Sequence, residues 1–228
     1  MIYLYLLATF LFVFGIKKLT SVKTCRQGNR ISELAMLIAV VTTAILMTNL
    51  SWVLVVAGLL VGGGIGAVIA KRTPTTQMPE MVAALNGFGG LSSALVAMAF
   101  LLIDQTLKQA DKALIDTGVV NAISTPATIV IGMVTLTGSF VAYFKLSGKK
   151  LVHPFAGSQR HLAHAAIGLG CIALGAWMVV TGSHTQMTIA TVLLALLSAV
   201  LGALLVLPIG GADMPVVVSL LNSYSGVA

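Results

Sequence analysis

Seven apolar runs of roughly 18 to 24 residues, the length that crosses a bilayer as a helix, dominate this sequence. They lie at about 2–20, 33–50, 52–70, 80–103, 125–146, 162–181 and 186–207. An α-helix rises about 1.5 Å per residue, so each run reaches across a hydrocarbon core of about 30 Å. Only 8% of the 228 residues are charged, whereas a soluble domain carries about a quarter. Too few charges remain to clothe a water-facing surface, and the mean hydropathy of +1.04 agrees. The predicted fold class is therefore all-α, a polytopic transmembrane helix bundle of about eight spans in the lipid bilayer, forming one domain over residues 1–228. No stretch suits a soluble or nucleotide-binding domain. An eighth helix is predicted from near Asp213, but Asp213 to Ala228 is too short to cross, so the last span is expected to be incomplete and the chain a fragment or truncation.

The net charge of +7 reflects topology and gives no reason to expect nucleic acid as a partner. Lys17, Lys18, Lys23, Arg26 and Arg30 follow the first run, Lys71 and Arg72 the third, and Lys145, Lys149, Lys150 and Arg160 the fifth. The alternate connections, Thr48 to Ser51, the stretch holding Asp104, Lys108, Asp111, Lys112 and Asp116, and the turn from Gly182 to Gln186, hold only two lysines and three aspartates. Basic residues favour the cytoplasmic side, which predicts an N-terminus outside and basic loops inside. Cys25 and Cys171 form neither a CxxC pair nor a disulfide framework. The first run starts at Met1 without a basic leader and reads as a retained span.

Helices in lipid associate by close contact over small residues. Gly58, Gly62 and Gly66 recur every four residues on the third run, and Gly87, Gly89 and Gly90 cluster on the fourth, so both are expected to be packing faces. The Gly62–Gly66 run has no preceding strand, which argues against a nucleotide loop. Pro79 before Glu80, Thr125 before Pro126, and Asp213 before Pro215 are expected to mark helix starts.

The polar residues inside the runs carry the functional information. Asn86, Gly87, Gly90 and Ser93 or Ala94 share one helical face of the fourth run. Thr128, Gly132, Thr135, Ser139 and Ala142 share one of the fifth, and Ser219, Asn222, Ser223 and Gly226 one of the last. The rise per residue places Asn86 and Ser139 about 10 Å inside the cytoplasmic ends and Asn222 nearer the midplane. Converging stripes would make a polar path from the cytoplasmic side. Equally, such residues serve as interhelical hydrogen-bond glue, worth about 0.6 kcal/mol on average. No Lys, Arg, Asp or Glu sits well inside a run, so the usual marker of a proton relay is missing.

Asp213 at a membrane boundary is expected to cap a helix, and Glu80 to complement a helix dipole in a first turn. His153, His161, His164 and His184 lie in or near loops, with no carboxylate or cysteine spaced to complete a metal site, and are expected to be solvated at the interface. Trp52 and Trp177 read as interface anchors.

The run Gly210-Gly211-Ala212-Asp213-Met214-Pro215-Val216-Val217-Val218-Ser219, followed by Leu221-Asn222-Ser223-Tyr224-Ser225-Gly226, resembles the beta subunit of proton-translocating NAD(P) transhydrogenases. Met78-Pro79-Glu80-Met81-Val82-Ala83 with Phe88, Thr137-Gly138-Ser139, and Arg160-His161 resemble it in order and spacing. The resemblance implies a membrane domain that moves protons inward while soluble domains elsewhere pass hydride between NAD(H) and NADP(H). It implies no cofactor bound by this chain, an alpha subunit carrying the NAD(H) domain and further membrane helices, an NADP(H) domain beyond the last span, and a dimer of the complex. Asn222 and Ser139 match positions of the proton path, to which the stripe residues Asn86, Ser219, Ser223 and Thr135 are added. Asp213 matches the cytoplasmic mouth or domain contact, where Glu80 and Arg160 are also placed. Many members carry His where this chain has Asn86 after Leu85, and an amide cannot take up a proton near neutral pH. The titrating group is then expected on a helix of the alpha subunit, oriented by Asn86. A start at Met1 without a transit peptide suggests a bacterial inner-membrane subunit. A secondary transporter or channel subunit with a midplane site is the alternative class, and it would call for a repeat or paired Gly/Pro interruptions, neither of which is present.

Overall fold

The computed structural model describes residues 2–46, 51–110, 119–155, 157–181 and 183–226, and the side chains among these outside 102–122. The predicted connection at Thr48–Leu50, the loop residues Asp111, Lys112 and Asp116, the side chains of Asp104 and Lys108, and Gly182 fall outside that description. Eight α-helices account for most of the rest: α1 (Ile2–Leu19), α2 (Cys25–Leu46), α3 (Trp52–Arg72), α4 (Met78–Ala110), α5 (Val119–Leu146), α6 (Gly157–Val180), α7 (His184–Val206) and α8 (Met214–Ser225). Seven are long and apolar enough to cross a membrane. Large apolar residues such as Phe10, Val53, Leu59 and Ile172 stay exposed on their surfaces, as lipid contact allows. The protein is a polytopic transmembrane helix bundle.

Two compact units make up the chain, Met1–Arg72 and Thr73–Ala228. In the first, α1 and α2 form an antiparallel pair crossing at Gly15 and Gly28. A Cβ on Gly28 would lie 2.7 Å from the Gly15 carbonyl oxygen and 2.9 Å from the Leu19 amide nitrogen, so only glycine lets the backbones meet. Tyr5 and Thr43 join the pair through their hydroxyls at 2.9 Å. The helix α3 buries none of its residues, and space is open beside Gly58, Gly62 and Gly66. The packing expected of that glycine ladder is thus not made among the described residues, because neither α1 nor α2 runs along it.

In the second unit, α5 is central and packs on α4, α7 and α8, while α6 leans mainly on α7. The α4–α5 crossing falls at Gly90 and Gly132: a Cβ on either would lie 2.6 Å from the other's carbonyl oxygen. Gly202 of α7 meets Val134 and Thr137 of α5 in the same way. Gly138 faces Val206 and Leu221, which brings α7 and α8 onto one side of α5.

Three boundaries differ from expectation. The helix α5 starts at Val119, so Thr125–Pro126 does not mark its beginning and Pro126 sits inside it. A proline there removes one ladder hydrogen bond, which membrane helices tolerate where neighbours cover the gap, and buried Pro126 packs against Gly175 of α6. The helix α2 starts at Cys25, so Arg26 and Arg30 lie on a helix that the charges do not interrupt. Asp213 occupies the residue before α8 but its side chain makes no capping hydrogen bond; Pro215, which lacks the amide donor, eases that helix start instead.

Lys145, in the last turn of α5, donates from Nζ to the carbonyl oxygens of Leu207 and, at 2.6 Å, Ile209. These carbonyls lie at the C-cap of α7 and in the turn just after it, so one cation satisfies acceptors where the helix ladder stops. Lys145→Met is expected to lower stability by about 1.5–3 kcal/mol, the worth of charged hydrogen bonds. Thermal unfolding in detergent checks this, with Lys149→Met as the surface control.

Candidate functional site

The polar stripes of α4, α5 and α8 meet in the second unit. The α4–α5 crossing at Gly90 sets the register in which Asn86, one turn before it, faces Ser139 of the antiparallel α5. The Asn86 amide donates from Nδ2 to Ser139 Oγ at 2.8 Å. Ser139 is fully buried and Asn86 half-buried, so the bond leads from the helix seam outward. Beside it Gly87 packs at 3.3 Å from the Leu136 carbonyl oxygen, and Phe88 and Phe140 make an edge-to-face contact with ring centroids 5.5 Å apart. These glycine and aromatic contacts fix the spacing in which an amide and a hydroxyl can bond.

Asn86 also opens onto a cavity of about 740 Å³ between α4 and α8. Its polar lining is Asn86, Ser219, Asn222 and Ser225, and its mouth lies between Met78–Pro79 and Pro215, at the starts of the two helices. Asn86 and Asn222 each stand eight residues beyond their helix starts, at Met78 and Met214. That is about 12 Å along each axis. Asn86 and Asn222 thus stand equally far from the starts of their helices and line one cavity. Gly89 is part of this wall, with nothing within 4 Å of a Cβ there, so the cavity stays open where a larger residue would close it.

The other predicted residues divide. Thr135 is fully buried on α5, its Oγ1 has no hydrogen-bond partner, and it packs 2.7 Å from a Cβ on Gly90. It thus belongs to the crossing, one step beyond the Asn86–Ser139 bond, and not to the cavity wall. Ser223 is not part of that lining: it faces an adjoining shallow hollow with Pro215, Val216, Ser219 and Leu220, and its hydroxyl donates to the Ser219 carbonyl at 3.1 Å. Helical geometry separates it from Asn222 by 100°, which a stripe drawn by spacing alone does not weigh. Glu80 lies in the first turn of α4, Arg160 in that of α6, and Asp213 just before α8. Glu80 and Asp213 thus stand beside the cavity residues Pro79 and Pro215, whereas Arg160 lies on a helix that does not line the cavity, and no ion pair joins the three.

Sequence spacing did not single out a second cavity of about 450 Å³, farther along α4 and lined by Ser92, Ser93, Ser124, Thr125 and Thr128 with Val96 and Phe100. Three hydroxyl residues within Ser124–Thr128 are the signal that points to it. Between the levels of the two cavities stands the Gly90–Gly132 contact, with the unpartnered Thr135 hydroxyl against it. Among the described residues no cluster of three or more His, Cys, Asp or Glu could hold a metal ion. His153 and His164 come together at the base of α6, with their Nε2 atoms 3.4 Å apart.

The profile of the family described as NAD(P) transhydrogenase beta subunit matches residues 1–228. Two proteins of Rhodospirillum rubrum named NAD(P) transhydrogenase subunit beta are similar to this chain, each 35% identical over 224 residues, or 98% of it. The match covers 47% of each relative, so the chain spans about half the length of the curated relatives it matches. With residues of the Gly210–Gly226 run that lie on α8 facing Asn86 across one cavity, and the family match extending over the whole chain, this protein belongs to the NAD(P) transhydrogenase beta subunit family.

Proposed function

We propose that this chain is the proton-conducting membrane domain of a transhydrogenase that couples hydride transfer between NAD(H) and NADP(H) to inward proton movement. The observation that carries the reading is the Asn86–Ser139 hydrogen bond on the wall of a cavity shared with Asn222. Amides and hydroxyls both donate and accept, so they can order a file of water without holding a charge themselves. The cavity opens at the end of the unit that the basic loops assign to the cytoplasm, and Asp213, Glu80 and Arg160 stand there as contacts for an NADP(H)-binding domain. The Thr135 hydroxyl, buried without a partner at the glycine crossing, is the point at which water must enter for the path to continue toward Thr128 and Ser93.

No group in this polar seam titrates near neutral pH. The proton-accepting side chain therefore comes from a helix of an alpha subunit, seated along the open face of α4, with Asn86 orienting it. The complete assembly holds both nucleotides outside this chain, in a dimer of the complex in a bacterial inner membrane, with the N-terminus of this chain outside.

Proton uptake by vesicles holding the full-length complex, driven by NADPH and an NAD analogue, tests the reading. Asn222→Leu is expected to reduce uptake and coupled hydride transfer together, at least about tenfold, with NADP(H) still bound. Unchanged pumping would return Asn222 to packing and leave this chain an anchor.

A further inference from the structure

The turn between α1 and α2 gathers five cations within residues 17–30. Lys17 and Lys18 end α1, Lys23 stands in the turn, and Arg26 and Arg30 lie in the first two turns of α2. Within residues 1–72 the one carboxylate side chain is Glu33, and its Oε1 accepts from the Asn29 amide at 2.7 Å. Lys18 is held against the hairpin: it donates to Gln27 Oε1 at 3.0 Å, with its Nζ 5.3 Å from the centre of the Phe14 ring. Lys17, Lys23, Arg26 and Arg30 are exposed, and their side chains make no ion pair or hydrogen bond among the described residues. Arg26 and Arg30 stand two residues either side of Gly28, which meets α1. Each therefore lies about 160° round the helix from that contact, and their Cβ atoms are about 6 Å apart. The positive end of the α2 dipole adds to their repulsion, and no acidic residue stands in its first turn. A topology signal needs cations somewhere in this connection; it does not need two arginines one turn apart on the face that α1 leaves free.

Depth selects the partner. The 18 residues of α1 extend about 27 Å against a hydrocarbon core of about 30 Å, so Lys17 and Lys18 at its end reach the level of the lipid phosphates. The Lys18–Gln27 bond brings the first turn of α2 to the same level. Farther in, Val13, Phe14 and Ile16 of α1 and Leu34 and Leu37 of α2 are exposed, an apolar surface for acyl chains to cover. We infer that the Arg26–Arg30 face, with Lys23 three residues before it, binds the phosphate of an anionic phospholipid. A guanidinium presents a planar fork of N–H donors that matches phosphate oxygens, and two of them one turn apart can hold one phosphate between them. A zwitterionic lipid offers the same phosphate but brings an ammonium group that these cations repel, so a headgroup of net negative charge is preferred. An acidic soluble protein fits less well, since it has to come down through the headgroups to reach Arg30, one turn farther along α2 than Arg26.

This inference stands apart from the proton-path reading and holds or fails whichever way Asn222→Leu behaves. Native mass spectrometry of the full complex with added phosphatidylglycerol tests it. Arg26→Gln/Arg30→Gln is expected to weaken phosphatidylglycerol binding about fivefold per arginine removed, while Lys71→Gln/Arg72→Gln at the end of α3 leaves it unchanged. Arg26→Lys/Arg30→Lys keeps the charge, and with it the topology, and is expected to bind more weakly than the unsubstituted chain because the forked contacts are lost. A nitroxide on Val22→Cys, exposed in the turn, with Cys25→Ser, gives a local reading in mixed detergent micelles. Its motion is expected to slow on adding phosphatidylglycerol and not phosphatidylcholine, and to recover at high salt. In the complex with Arg26 and Arg30 intact, a preference for phosphatidylglycerol over phosphatidylcholine that weakens with salt guards against a variant that fails to insert. Equal binding in the two glutamine variants, or an equal response to the two lipids, would overturn the site. So would a nitroxide that slows only when an NADP(H)-binding domain is present, since the face then belongs to a soluble partner.

Discussion

Gly90→Leu is expected to leave no folded protein, whereas Gly89→Leu, its neighbour on the same helix, folds close to normally. The contrast follows from what stands opposite each. A Cβ on Gly90 meets the Gly132 carbonyl oxygen at 2.6 Å and the Thr135 Cβ at 2.7 Å, while Gly89 has nothing within 4 Å. Backbone cannot rotate out of the way, so relief comes only from separating α4 and α5. Overpacking of a core ordinarily costs about 1–3 kcal/mol for added methylenes, and domains have only about 5–15 kcal/mol to lose. Gly90→Ala, one carbon larger, is expected to fall in the lower range, and Gly132→Ala to match it because the contact is reciprocal. Because both glycines are on one helix, the change in intrinsic helix propensity cancels between them. Size-exclusion profiles of the heated protein in detergent read the outcome. Equal behaviour of the Gly89 and Gly90 variants would mean that close backbone contact does not hold this seam.

Asn86→Leu is expected to damage transport more than any other single change on the cavity wall. It removes the amide from the cavity and strands the fully buried Ser139 hydroxyl, which then pays for desolvation without a partner. The stability loss is about 1–3 kcal/mol on that ground, while coupled proton uptake falls at least about a hundredfold if Asn86 orders the path. Ser139→Ala alone is milder, because the amide left behind still reaches the cavity. In a double-mutant cycle the pair is expected to couple by about 0.6 kcal/mol, and at most about 1.7, in thermal stability. In transport, by contrast, the double variant is no worse than Asn86→Leu, since both residues serve one step. Additive transport losses would place Asn86 and Ser139 on separate routes. Full transport in Asn86→Leu, with only stability reduced, would make the bond interhelical glue.

Hydropathy placed the helices because bilayer thickness leaves one solution for runs this apolar, and glycine spacing identified the α4 face that carries Asn86 and Gly90. Its limits have physical causes. The start of α5 was misplaced because Pro126 looks like a beginning, yet Gly175 opposite it supplies the room that lets the proline stay inside a helix. The start of α2 was set too late because Arg26, Arg30 and Glu33 lower hydropathy without lowering helix propensity. Spacing could name Asn86 and Ser139 separately, but the antiparallel register that joins them comes from Gly90 meeting Gly132. It grouped Ser223 with Asn222, although the two stand about 100° apart on α8 and only Asn222 lines the cavity. The histidine pair escaped notice for a related reason: eleven residues and a turn separate His153 from His164, and no periodicity spans a turn.

The bare sides of α3 bear on how the protein is made. Among the described residues α3 buries none of its own, so its place in the membrane rests mainly on its own transfer from water, and its mean hydropathy of 2.5 is among the highest of the seven spans. During synthesis it can leave the translocon and settle in lipid before any residue of α4 exists, whereas α8, short and lined with serines, has to wait for α4 and α5 to receive it.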